Sequence, residues 1–359
     1  MAAVIETRNL TKSFGRDVVA VSGLDLCIAP GAVYGLIGRN GAGKTTTLRL
    51  LMGLLRADSG SARVLGCDFW EASPAIRQRV AYVSQGHLAP DWMALEDLDR
   101  YGGHFFDRWD SAHARSLARR WELPWKRPIG KLSGGNQRLA ALAMALSARP
   151  EVLILDEPAA GLDPIARRAL LVCLTEVLSD GDGATILLST HLLSDLERLA
   201  SHVGIMDRGR LVAEGAVEDW QRTMRRVQVV FDGAKPPAGV SIPGAIRTQV
   251  LGPVMTSLAR VDDDAQLDGL RQIPNTRVFV FPLSLEELFV EFFDRPAPAA
   301  GWIPGTDSGR SGAGVEVAPH KSVGRGVVAA ADPCGGDSDV EPARAGRESC
   351  GVSVPPREG

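Results

Sequence analysis

Gly38-Arg39-Asn40-Gly41-Ala42-Gly43-Lys44-Thr45 decides how the rest of the chain is read. It fits GxxxxGK[ST], and it lies between the apolar run Val33-Tyr34-Gly35-Leu36-Ile37 and a helical pattern from Thr45 to Leu55. A buried strand, a glycine-rich turn and a helix start together present successive backbone N–H groups to an anion, and the helix N-terminus adds positive potential. The glycines let that backbone wrap β- and γ-phosphates. Lys44 brings a mobile cation to them, and the Thr45 hydroxyl can ligate Mg²⁺. Residues 38 to 45, with Thr46 closing the turn, are therefore the expected phosphate site of a nucleotide. A chance glycine-rich turn is the bland alternative, and the correctly placed strand and helix argue against it.

Outward from this loop, short β-branched runs alternate with longer helical patterns between Val4 and Arg226, the mark of an α/β domain with a mainly parallel sheet. Val152 to Leu155 and Thr185 to Ser189 read as two more buried strands. Val152-Leu-Ile-Leu-Asp-Glu157 ends in two acids, and parallel sheets place their ligand crevice at the carboxyl ends of strands. Asp156 is expected to hold Mg²⁺ through water, and Glu157 to orient and deprotonate an attacking water. Two acids after an apolar run are commonly just a solvated strand end. A phosphate loop earlier in the same chain reverses that weighting.

Leu132-Ser133-Gly134-Gly135-Asn136-Gln137 precedes the helical pattern Leu139 to Leu146. Serine is an excellent N-cap, and paired glycines permit close backbone approach to an anion. With this stretch the chain resembles ABC-type ATPases, whose signature sequence is LSGGQ. The resemblance implies that Leu132, Ser133, Gly134, Gly135 and Asn136 contact the γ-phosphate of ATP held by an opposite subunit. Asn136 departs from the pattern, where glutamine is usual. Other family elements follow in order. Gln85, in Tyr82-Val-Ser-Gln85, resembles the loop glutamine that contacts Mg²⁺ and water and links to a helical subdomain. Asp163, in Gly161-Leu-Asp163, resembles the acid that crosses the subunit boundary, although Ala160-Gly161 stands where Ser-Ala is commoner. His191 resembles the switch histidine at the γ-phosphate, and Phe14 the aromatic that stacks on adenine. The resemblance covers roughly the first two thirds of the chain.

The organisation expected is a P-loop NTPase domain over residues 4–226, with a helical subdomain inserted at about 86–150. Trp92, Trp109, Trp121 and Trp125 lie in that insertion; they either fill a small helical core or line a groove for a coupling helix of a membrane partner. After Arg226 the runs Val227 to Phe231 and Val278 to Phe281 are strand-like. Ser284-Leu-Glu-Glu287 is a capping box, and Leu285, Leu288, Phe289, Phe292 and Phe293 then share one helical face. These features predict a small α+β appendage over 227–295. In residues 296–359, 20 of 64 are glycine or proline and Trp302 is the only aromatic, which predicts a disordered tail.

Composition narrows the function classes. A formal charge of −3 gives no broad attraction to nucleic acid, and none is expected as a partner. No run approaches the roughly 18 to 20 apolar residues that span a bilayer, and MAAVIETRNL does not read as a secretory signal. Five scattered cysteines without a CxxC pair read as reduced thiols. The resemblance implies ATP and Mg²⁺ as cofactors and a homodimer or heterodimer of ATPase subunits. It further implies a separate polytopic membrane permease that holds the cytoplasmic chain on the inner face of the cell membrane. A single ATPase domain with a short appendage ending in Ser284-Leu-Glu-Glu-Leu-Phe289 resembles subunits of ABC-2 type exporters, including antibiotic and multidrug exporters. The alternative is a soluble ABC ATPase of translation or DNA maintenance. One phosphate loop and the lack of sustained heptads weigh against it.

Overall fold

The computed structural model describes residues 3–15, 18–86, 89–179, 183–191, 193–233 and 235–293. The expected tail therefore lies outside the described residues. An antiparallel pair opens the chain, β1 (Ile5–Phe14) and β2 (Val18–Ile28). β3 (Val33–Gly38) runs through the glycine-rich turn into α1 (Lys44–Leu51), and β4 (Ser59–Val64) returns to pair with β1. α2 (Pro74–Arg77) and β5 (Val80–Val83) precede a helical stretch of α3 (Leu95–Phe105), α4 (Ser111–Arg120), a 3₁₀ turn at Ile129–Lys131 and α5 (Gly134–Ser147). Strands and helices then alternate through β6 (Val152–Asp156), α6 (Pro164–Ser179), β7 (Thr185–Thr190), α7 (Leu193–Leu199), β8 (His202–Asp207) and β9 (Arg210–Ala216). The last part holds α8 (Val217–Thr223), β10 (Met224–Phe231), β11 (Ala245–Leu251), β12 (Val254–Arg260), α9 (Asp268–Arg271), β13 (Thr276–Pro282) and α10 (Leu285–Phe293).

Six strands form the central sheet in the order β5-β6-β7-β3-β8-β9, parallel except for β9. Every residue of β3, β6 and β7 is buried, which is why these runs carry no polar alternation. The order is not sequential: β7 sits between β3 and β6. That placement brings the ends of three separated strands to one rim. The sequence did not reveal the second, three-stranded antiparallel sheet β2-β1-β4.

α1 is shorter than the helical pattern suggested. It ends at Leu51, and Gly53 adopts φ +60 with its Cβ position 2.7 Å from the Phe69 carbonyl oxygen. A left-handed glycine at this point stops a helix, and here no side chain would fit.

The insertion packs α3, α4 and α5 around Leu95, Ala114, Leu117, Trp121 and Leu142. Its tryptophans divide. Trp121 is buried, and the Trp109 indole N–H donates to Asp99 at 2.8 Å with its ring over Gly102. Trp125 is half-buried under the Arg115 guanidinium, whereas Trp92 is 74% exposed.

β11-β12-β10-β13 make a third, antiparallel sheet, of which only the β10 and β13 runs were anticipated. β11 is mostly exposed, so burial imposes no apolar alternation on it. One face of this sheet closes over Val227, Val229, Phe231, Met255 and Leu267. Leu258, Leu283, Leu285 and Leu288 instead join the main core. Ser284 and Glu287 form the expected capping box, the Glu287 amide donating to the Ser284 hydroxyl and the Ser284 amide to the Glu287 carboxylate. Cys27 and Cys173 take part in no disulfide.

Candidate active site

The glycine-rich turn owes its shape to residues no other side chain could replace cheaply. Gly43 adopts φ +104, and a Cβ there would stand 2.2 Å from the Ala20 carbonyl oxygen. Gly38 is equally confined, its Cβ position 2.6 Å from the Met206 carbonyl oxygen. Gly41 has φ +81 but open space around it. Arg39 and Asn40 are exposed and Ala42 is buried, while Thr45 and Thr46 are half-buried at the start of α1. The first turn of α1 contains no acid, so its N-terminal potential is not neutralised locally.

Three strand ends converge on this turn. Lys44 donates from Nζ to the Gly38 carbonyl at 2.7 Å and pairs with Glu157 Oε1 at 3.3 Å, both side chains being buried. Thr45 donates from Oγ1 to Asp156 Oδ1 at 3.0 Å. Across the register, Asp156 lies beside Ser189 of β7. Ser189 donates to the same Oδ1 at 2.7 Å and accepts from the Glu157 amide at 3.0 Å. His191 Nδ1 lies 2.6 Å from Glu157 Oε2. Glu157 sits at φ +51, an uncommon conformation for a residue with a Cβ.

Lys44, Thr45, Asp156, Glu157 and His191 are thus one hydrogen-bonded group, although the sequence spreads them over almost 150 residues. Ser189 was not singled out from sequence; its only signal was its position two residues before His191 at the end of an apolar strand. Tyr82 was also passed over as a site residue. Its hydroxyl is buried without a hydrogen-bond partner, and burial first, then the Asp156 charge, hold its pKa above the ordinary phenol value. Asp156 Oδ2 is likewise buried and unpartnered.

The other expected site residues stand apart from this group. Gln85 is exposed two residues beyond β5, with no hydrogen bond seen among the described residues. Phe14 is 45% exposed at the end of β1, with the Lys12 ammonium 5.9 Å from its ring centroid. Ser133 caps α5, accepting from the Asn136 amide at 3.2 Å, and the first turn of α5 also lacks an acid. The cap uses the backbone at position 136, which explains how asparagine is accommodated there. Gln137 donates its side-chain amide to the Ile129 and Leu132 carbonyls, bracing the signature turn. Leu132 is buried, Gly134 is open, and Gly135 faces Leu162. No hydrogen bond among the described residues joins this turn to the phosphate loop. Asp163 does something local: its Oδ1 accepts from the Ile165 and Ala166 amides, both at 2.9 Å, at the start of α6.

These features agree with relatedness measured directly. The family model described as ABC transporter matches residues 21–160. A Nod factor export ATP-binding protein I of Cupriavidus metallidurans is 36% identical over 304 residues, covering 82% of this chain and 99% of that protein. Its counterpart in Sinorhizobium fredii is 34% identical over 304 residues, covering 81% and 86% respectively. A solved ATP-binding subunit of an ABC transporter superposes with a TM-score of 0.55 at 28% identity, over 61% of this chain and 92% of that one. With the phosphate loop, the acidic strand end and the serine-capped signature helix in place, the chain belongs to the ATP-hydrolysing, ATP-binding subunits of ABC transporters.

Proposed function

We propose that this ATPase energises a separate polytopic permease in an export system. Similarity over 81–82% of this chain to proteins named for Nod factor export supports the direction and extends the reading into the appendage. No described helix is long and apolar enough to cross a membrane, and the proposal gives the membrane passage to the partner. Trp92, Tyr101 and Phe105 are each exposed on the helical insertion, Tyr101 stacked on Phe105 at 4.3 Å between centroids, and we assign these aromatics to the permease contact. That contact holds the chain on the cytoplasmic face of the membrane. Residues 4–226 form the ATPase domain, with the helical subdomain at about 86–150, and 227–295 the appendage.

The observation that carries the chemistry is the shared cluster of Lys44, Asp156, Glu157 and His191. Glu157 accepts a proton from a water as the water oxygen bonds to the γ-phosphorus, and the bond from that phosphorus to the bridging oxygen breaks, leaving ADP. Lys44 holds the phosphate oxygens, and His191 orients Glu157. The unpartnered Oδ2 of Asp156 and the Thr45 hydroxyl are hard oxygen donors that fit Mg²⁺. Bound there, Mg²⁺ would neutralise charge on the β- and γ-phosphates. Gln85 would join Thr45 and Asp156 in holding the ion, and Phe14 would carry the adenine. Ser133, Gly134, Gly135 and Asn136 of a second subunit close over the γ-phosphate, with Asp163 at the boundary.

The test is Glu157→Gln. ATP binding is retained, turnover falls by about 10²- to 10⁴-fold, and gel filtration shows a dimer that depends on ATP. A monomer that elutes with ATP bound argues against the two-subunit closure.

A further inference from the structure

Ser189 is wholly buried, so neither a substrate atom nor solvent reaches it. Its hydroxyl nevertheless works on both acids of the site. The proton is donated to Asp156 Oδ1 at 2.7 Å, and the oxygen accepts the Glu157 amide at 3.0 Å. The Ser189 carbonyl accepts that same amide at 3.1 Å. With the Thr45 hydroxyl at 3.0 Å, Oδ1 of Asp156 has two donors, while Oδ2 has none. A buried carboxylate oxygen without a partner is costly unless something is meant to meet it. The two donors on one oxygen fix the plane of the carboxylate and so hold its other oxygen facing away from them.

The parallel register explains why this serine and no other occupies the position. Ser189 of β7 pairs with Asp156 of β6 on one side and Leu36 of β3 on the other. It lies one residue short of the strand end, level with the acid and behind it. Glu157, immediately beyond, turns into the left-handed region at φ +51, and its amide is anchored by the hydroxyl and the carbonyl of Ser189.

On the ATPase assignment above, we propose that Ser189 is the positioning residue of this site: its hydroxyl orients Asp156 Oδ2 toward the metal shell and fixes the strained backbone that aims Glu157. One buried hydroxyl then sets the geometry of the cation ligand and of the general base together. Alanine at 189 removes one of the two donors to Asp156 Oδ1 and leaves the Glu157 amide on the backbone carbonyl of residue 189 alone. Cysteine keeps the volume but is a poor donor and acceptor, and threonine keeps the hydroxyl.

The experiment compares Ser189→Ala, Ser189→Cys and Ser189→Thr in the full chain. Steady-state ATP hydrolysis is measured alongside Mn²⁺ titration by electron paramagnetic resonance with a non-hydrolysable ATP analogue, and thermal melts report folding. In the alanine and cysteine variants kcat falls and the Mn²⁺ dissociation constant rises, each by about 10- to 100-fold. KM for ATP changes by less than about twofold in them, and threonine restores kcat and Mn²⁺ affinity. If the cysteine variant melts with the parent and keeps kcat and Mn²⁺ affinity within about twofold, the positioning role is overturned. If alanine melts early, the cysteine comparison still decides. Failure of the underlying assignment looks different, because the parent itself would then show no Mn²⁺ binding that depends on the nucleotide.

Discussion

Lys44 and Glu157 form an ion pair inside the site, Nζ and Oε1 3.3 Å apart with both side chains more than nine-tenths buried. The lysine stands on the phosphate loop and the glutamate at the end of β6. Removing two charges from water is costly, and the pair is sustained by the Gly38 carbonyl on one side and His191 on the other. The loop and the acidic strand end are therefore one electrostatic unit.

Lys44→Ala breaks that unit and leaves a buried carboxylate without its main cation. Stability falls by about 3 kcal/mol, and ATP affinity by at least about tenfold, since hydrogen bonds to charged groups are the stronger kind. Thermal melts and nucleotide titration measure the two losses separately. An unchanged ATP affinity would remove the phosphate-cradle role of Lys44.

Alanine at two glycines of the same turn gives unequal results. Gly43→Ala meets the Ala20 carbonyl oxygen at 2.2 Å and requires φ +104, so backbone must move. Gly41→Ala requires φ +81 but finds open space. The first lowers stability by more than the order of 1–3 kcal/mol that backbone strain alone costs, and the second stays within it. Equal denaturant midpoints for the two variants would contradict this ranking.

Asp163 was expected from its family resemblance to act across a subunit boundary, yet its carboxylate caps α6 within its own chain. Asp163→Ala should lower the stability of the isolated subunit by about 1 kcal/mol. Asp163→Asn, which keeps the accepting oxygen, should cost only a few tenths of that. Turnover in the two variants then reports the boundary role without the capping loss. If alanine leaves the melt of the nucleotide-free subunit unchanged, the cap contributes nothing.

Glu214 offers a test by pH. It accepts from the buried Tyr34 hydroxyl at 2.7 Å, and burial raises its pKa above the ordinary 4.5, partly offset by the Tyr34 hydrogen bond and by His202. Burial and the Glu214 charge in turn raise Tyr34 well above the usual phenol value. Above pH 4.5 the folded chain holds more protons at Glu214 than the unfolded chain, so stability is lost as pH rises through the folded pKa. Glu214→Gln keeps the acceptor for Tyr34 and removes the ionisation. It should melt above the parent at pH 7.5, and the gap should narrow as the pH is lowered toward 5. A gap independent of pH would refute the linkage.

The parts legible from sequence are those whose chemistry is local. A strand, a glycine turn and Lys44 stand within a dozen residues, and the two acids of β6 follow four apolar residues directly. The signature turn needs only its own serine cap, and the capping box at Ser284 only its own first turn. Trp109 and Trp121, by contrast, could not be told from Trp92 by type or spacing, because burial depends on what other helices cover. β11 and β12 escaped for a related reason: an edge strand and its neighbour in a small sheet alternate too weakly to stand out.

The sequence by itself determined the phosphate loop, the acidic strand end, the signature helix and hence the family, because in each the necessary groups are covalent neighbours. Tertiary structure alone decided that β7 lies between β3 and β6, and with it that Ser189 touches Asp156 and that Lys44 meets Glu157. Parallel strands are joined through helices that return the chain by a crossover, so which ends become neighbours depends on packing of the whole sheet. Local periodicity carries no record of that choice.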